Sequence, residues 1–155
     1  MMRWEKGRAE IDALIADRHL ERVPASREHA DRLLEQARRH LASAVATAEG
    51  DPEGAYGVLY DAGRKALWAV LANQGLRPTT RGGHIAVYQA VRAQLDPPLG
   101  SALRPFDRMR RQRNELEYPA VDTPTLSARD VLDDVPKIEA IVDLAAGVLD
   151  SMSVY

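Results

Sequence analysis

The chain has no cysteine and a single phenylalanine, and aromatic residues make up only 5 % of it. Without cysteine, disulfides and thiolate metal sites are excluded. With so few aromatics, core volume must come from aliphatic and alanine side chains. Small side chains favour closely packed helices, and alanine is the best helix former. No apolar run approaches the roughly 20 residues needed to span a bilayer. The segment Met1-Met2-Arg3-Trp4-Glu5-Lys6 lacks the apolar stretch of a signal peptide. These absences read as a cytoplasmic chain with no membrane partner. An excess of one charge is missing too: the net charge is −2, so any contact with nucleic acid must come from a local patch. The remainder is ordinary for a globular protein, with 155 residues, 45 % apolar and 28 % charged, enough for one domain with a real core.

Helical periodicity dominates the chain. Trp4, Ile11, Leu14 and Ile15 mark a short amphipathic helix to about Asp17, interrupted by Leu20 to Pro24. Ser26 looks like an N-cap, and Ala30, Leu33, Leu34, Ala37, Leu41, Ala44, Val45 and Ala48 then recur at three- and four-residue steps. Gly50-Asp51-Pro52 ends that helix and caps the next, which runs from about Pro52 to Gln74 and stops at Gly75. Its apolar surface extends nearly all round, which belongs in the middle of a bundle. A loop from Leu76 to Gly83 precedes a helix from about His84 to Leu95. A fifth helix follows Pro97-Pro98 and ends before Pro119. A sixth starts at Ser127, and Pro136 should kink or divide it near Val135. No stretch alternates long enough to make a convincing strand. The expected fold is an all-α, up-and-down bundle of four long helices plus one or two shorter ones. Residues 1–25 form an appended helix and turn, and residues 26–155 form the bundle.

The fifth helix carries the sharpest signal. One face reads Leu99, Leu103, Phe106, Arg110, Arg113 and Glu117, so a stripe that begins apolar ends charged. An unpaired interior charge costs several kcal/mol, so these guanidinium groups need partners. Five arginines lie between Arg104 and Arg113. At about 100° per residue, Arg104, Arg108 and Arg111 point to solvent, whereas Arg110 and Arg113 lie on the stripe. Glu117 follows Arg113 by one turn and offers an intrahelical pair. Asp61 on the third helix is the candidate carboxylate from a neighbouring helix. Trp68 either fills the core against the sixth helix or anchors a homodimer.

Other chemistry-bearing residues have plainer readings. His84 follows Arg81-Gly82-Gly83, and a glycine-rich turn at a helix start can cradle an anion, but capping or loop packing explains it as well. Arg38, Arg39 and His40 read as a wet helical face, and Asp122, Asp133 and Asp134 as loop and helix-start acids. No histidine or carboxylate spacing suits a metal, and no cofactor motif is present: no P-loop, Rossmann fingerprint or nucleophile elbow.

Arg113-Asn114-Glu115-Leu116-Glu117-Tyr118-Pro119, at the end of a helix, resembles the terminal motif of HEPN domains, small helical bundles of prokaryotic toxin–antitoxin and defence systems. Tyr60, Ala62, Lys65, Ala66 and Leu67 resemble that family's central helix, and Gly83-His84 its next helix start. The likeness covers about Ser26 to Asp150. It implies a homodimer whose cleft binds RNA, a nucleotide or a protein partner, with a cognate antitoxin or nucleotidyltransferase as partner. In active members an arginine and a histidine cleave RNA without metal. Carried over, Arg113 takes the arginine position and Asn114 the polar residue beside it, while Tyr118 falls where the histidine stands. A phenol is a poor base near neutral pH. The first expectation is therefore a degenerate binding module using Arg110, Arg113, Asn114, Glu117, Tyr118 and Asp61. The alternatives are a metal-independent ribonuclease, with Arg113 and Tyr118 as catalytic candidates, and an inert interaction bundle.

Overall fold

Three helices start where the sequence places capping residues in the computed structural model, which describes residues 4–152 and 154–155. The segment Met1 to Lys6, read above for a leader, lies partly outside them. α1 (Arg8–Ala16) leads into β1 (Leu20–Arg22). Ser26 caps α2 (Arg27–Thr47), its hydroxyl accepting the His29 N–H at 3.0 Å. Asp51 accepts the Gly54 N–H at 3.1 Å to start α3 (Pro52–Gln74), with Pro52 in the first turn, where a missing N–H costs nothing. Gly75 ends α3 at φ 85°, and a Cβ there would lie 2.8 Å from the Val23 carbonyl oxygen. Both the left-handed backbone and the close approach require glycine. β2 (Leu76–Pro78), α4 (Gly83–Leu95) and α5 (Gly100–Glu117) follow. α6 (Ala128–Val148) opens with a capping box between Ser127 and Asp130.

Among the described residues the protein is an all-α bundle of four long helices, α2, α3, α5 and α6, with the shorter α1 and α4. α3 is the axis, packed against α2, α4, α5 and α6. Its fully buried residues include Tyr56, Leu59, Tyr60, Ala66, Leu67 and Val70, as its all-round apolar surface requires. Gly63 lets α5 and α6 approach, since a Cβ there would stand 3.1 Å from Ile138 Cδ1 and 3.3 Å from Phe106 Cδ2. The first residues join the same core: Ile11 is fully buried and α1 packs on α4.

Two sequence expectations change. Leu20 to Pro24 and Leu76 to Gly83 are not plain connections, because β1 and β2 pair antiparallel with Leu20 opposite Pro78 and Arg22 opposite Leu76. Three-residue strands are too short to show alternation, and burial of Leu20 and Leu76 holds them. Pro136 does not divide α6, which runs on unbroken from Ala128 to Val148. Pro136 is exposed, and so is Leu132, whose carbonyl it leaves without an intrahelical donor; water can satisfy that group.

Candidate functional site

The charged end of the α5 stripe meets α3 and the start of α4. Tyr60, fully buried on α3, stacks its ring on Phe106 of α5 at 5.1 Å between centroids, and Tyr88 of α4 meets the same Phe106 at 5.8 Å. That aromatic packing fixes the phenol, whose oxygen lies 2.9 Å from Nδ1 of His84. The Arg113 guanidinium sits over the same ring, its Cζ 5.6 Å from the Tyr60 ring centroid. Tyr60 is thus the bridge between an arginine of α5 and a histidine of α4.

Each arginine nearby is steadied by a carboxylate on its own helix. Arg113 Nη2 forms an ion pair with Glu117 Oε1 at 2.9 Å. Arg110 reaches Asp107 Oδ1 through Nε at 3.1 Å and Nη2 at 3.0 Å. Arg64 Nε donates to Asp61 at 3.2 Å, with its guanidinium 5.7 Å from the Trp68 ring centroid. One donor is left over. The Nε–H of Arg113 is buried and has no partner among the described residues. Leaving such a donor unpaired costs about 1–3 kcal/mol.

The histidine is tuned by the same surroundings. Burial, followed by the Arg64 and Arg113 charges, holds His84 below the ordinary imidazole value of 6.5, so it is neutral near pH 7. Burial also pushes the Tyr60 phenol well above its ordinary value. The Tyr60 hydroxyl and Nδ1 of His84 share one hydrogen, the donor being set by the imidazole tautomer. α4, whose start holds His84, opens without a side-chain cap and adds the positive end of its dipole. Around the Tyr60 phenol, α5 thus supplies two arginines, each with its own carboxylate, and α4 supplies the His84 imidazole.

Further along α3, Lys65 Nζ lies 2.8 Å from Nε2 of His40 on α2. Burial, followed by the Lys65 charge, holds His40 below its ordinary value. The ammonium therefore donates and the imidazole accepts. Trp68 packs against the core. It is half-buried, with the His29 ring edge-on at 6.0 Å.

A second polar group stitches α3, α5 and α6 together. Asp134, buried seven residues into α6, takes Arg108 at 2.7 Å, Lys137 at 3.0 Å and the Tyr56 hydroxyl at 3.3 Å. Arg108 is therefore not a free solvent-facing arginine, and Asp134 is not a helix-start acid. A cavity of about 490 Å³ opens beside this group, between α5 and the linker to α6, lined by Arg108, Arg111, Gln112, Thr123, Thr125 and Leu126.

Of the residues selected from the sequence, Arg110 and Arg113 lie half-buried at the recess, and Glu117 holds Arg113. Asp61 pairs with Arg64 rather than with Arg113. Asn114 is exposed, and Tyr118 is 81 % exposed just past the end of α5. Tyr118 is the residue before Pro119, a position driven out of the helical region, so its φ of −127° takes it off the helical projection. Tyr60, His84, His40 and Lys65 were not selected. The available signal was Tyr60 on a buried stripe, since a buried phenol needs a polar partner.

Among the described residues, no group of three or more histidine or carboxylate side chains is placed to hold a metal ion, and no helix is long and apolar enough to cross a membrane. No family model matches the chain, and no curated protein or solved structure matches it.

Proposed function

We propose that the chain is an HEPN-like helical module that binds a phosphate group of a nucleotide or of RNA in the recess formed by Arg113, Arg110 and His84. The observation that carries this reading is the half-buried Arg113 guanidinium held over the Tyr60 ring beside His84, with an Nε–H that no protein group meets. Guanidinium groups bind phosphate oxygens through paired N–H donors, and such charge-assisted bonds are about twice as strong as neutral ones. The reading is of binding rather than cleavage. Nδ1 of His84 is engaged by the Tyr60 hydroxyl, and Tyr118, in the position of the family's histidine, is a phenol, a poor base near neutral pH. Dimerisation belongs to the same proposal and rests on the resemblance alone.

Fluorescence anisotropy with a labelled single-stranded RNA at low salt tests the binding. Arg113→Ala should weaken it at least about tenfold, the equivalent of one charge-assisted bond, while Tyr118→Phe should leave it unchanged. Wild-type protein that binds neither RNA nor a nucleotide at high micromolar concentration overturns the reading. Incubation of total RNA with the protein, with and without EDTA, should give no cleavage. Cutting that survives EDTA and disappears in Arg113→Ala would instead establish the ribonuclease.

A further inference from the structure

The outward face of α3 separates two donor groups. At about 100° per residue, Tyr60 and Lys65 lie some 140° apart around the helix, with Gly57, Arg64 and Asp61 between them. The Tyr60 edge meets α4 and α5 and carries the Arg113 recess. The Lys65 edge meets α2 and carries the His40 contact. Arg64 and Asp61 are charged neighbours of both histidines, so the two groups belong to one continuous surface. Gly57 leaves that surface open, for a Cβ there would meet nothing within 4 Å.

Lys65 differs from the arginines of the recess in one respect. Arg64, Arg110 and Arg113 each hold a carboxylate, whereas Lys65 has none within 4 Å among the described residues. Asp61 stands one helical turn before Lys65 and is the natural partner, but Arg64 occupies it. Instead, Lys65 donates one hydrogen to a neutral imidazole, which orients the ammonium without neutralising it. Two ammonium hydrogens and the Nδ1–H of His40 remain as donors. A half-buried cation held in place by a neutral acceptor is a ready anion point.

We infer that Lys65, oriented by His40, is a second phosphate-binding point on the same surface as Arg113, so that the ligand is a single-stranded RNA crossing α3 rather than a lone nucleotide. The two points lie on opposite flanks of a helix roughly 10 Å across, a width that one phosphate group cannot bridge. Arg64, between them, is placed to meet the intervening backbone. This inference rests on the phosphate-binding reading of the recess.

Two probes separate the two claims: a nucleoside 5′-monophosphate and a short labelled single-stranded oligoribonucleotide. Lys65→Gln should weaken the oligonucleotide about tenfold and lower the slope of log K against log salt by about 0.7, the loss of one phosphate contact on a single strand. It should leave the monophosphate affinity unchanged. Lys65→Arg, which keeps the charge, should retain both the affinity and the slope. Arg113→Ala should weaken both probes. If Lys65→Gln binds the oligonucleotide like wild type with the same slope, the second point is refuted and the recess stands. If wild type binds neither probe, or Arg113→Ala changes neither, both claims fall together. Should Lys65→Gln unfold, Lys65→Met, judged by its circular dichroism and the same salt slope, gives the same decision.

Discussion

Replacing Arg113 by methionine distinguishes an arginine kept for a ligand from one kept for the fold, because the two roles predict different changes in stability. Methionine preserves most of the aliphatic stem and removes the guanidinium. Two favourable contacts are lost. The Glu117 pair joins neighbours one turn apart, with Glu117 47 % exposed, and contributes about 0.4 kcal/mol. The guanidinium over the Tyr60 ring contributes about 1 kcal/mol. Against these stands the buried Nε–H with no partner, whose removal returns about 1–3 kcal/mol. The balance runs from a loss of about 0.4 to a gain of about 1.6 kcal/mol. In a chain of this size about 1 kcal/mol moves the melting temperature by 2–4 °C, so Tm should fall by no more than about 2 °C and can rise by about 6 °C. Differential scanning calorimetry of wild type and Arg113→Met measures this directly. A drop of more than about 5 °C would mean that Arg113 serves as a structural ion pair, as in an inert bundle, and the reasoning would fail.

Asp134→Ala should behave in the opposite way, costing about 2 kcal/mol in urea unfolding, below the roughly 3–5 kcal/mol of a fully buried pair because Arg108 and Lys137 are half-exposed and can rehydrate. Burial pushes the Asp134 carboxyl upward, but its bonds to Arg108 and Lys137 outweigh that and hold it below the ordinary carboxylate value. Its contribution is therefore present above that value and lost as pH falls through the folded one, so the difference between wild type and Asp134→Ala should shrink in acid. Gly63→Ala should destabilise by about 1 kcal/mol, the helix-propensity gain of about 1 being exceeded by crowding against Ile138 and Phe106, and a Tm at or above wild type would refute the close approach of α5 and α6. His84, held below 6.5 by burial and by Arg64 and Arg113, stabilises fully above that value and less as pH falls, because the unfolded chain takes the proton first. His84→Gln should thus reduce the loss of stability between about pH 7.5 and 5.5 without abolishing it, since His40 acts in the same direction; an unchanged slope would contradict the burial of His84.

Local chemistry was legible in the chain, and long-range partnership was not. Ser26, Asp51 and Ser127 announced their helices because a cap involves only neighbours three residues away. The inward turn of Arg110 and Arg113 followed from helical periodicity alone. Tyr118 entered through the resemblance rather than through periodicity, and it stands exposed just past the end of α5, before Pro119. Arg108 seemed free because its partner Asp134 lies on another helix. His84 and Tyr60 are 24 residues apart, and only the packing of α3, α4 and α5 brings them together. The pairing of β1 with β2 likewise depends on two segments separated by α2 and α3.

The claim on which the functional account depends is that Arg113 and His84 meet one phosphate. Titrating inorganic phosphate into ¹⁵N-labelled wild-type protein, and following the Arg113 Nε–H and the His84 ring nitrogens by NMR, tests it most directly. Both sets of resonances should shift saturably with a common midpoint, while those of Arg104 and Arg111 stay where they were. If Arg113 and His84 do not respond, or respond only linearly alongside every exposed arginine, the recess is not an anion site.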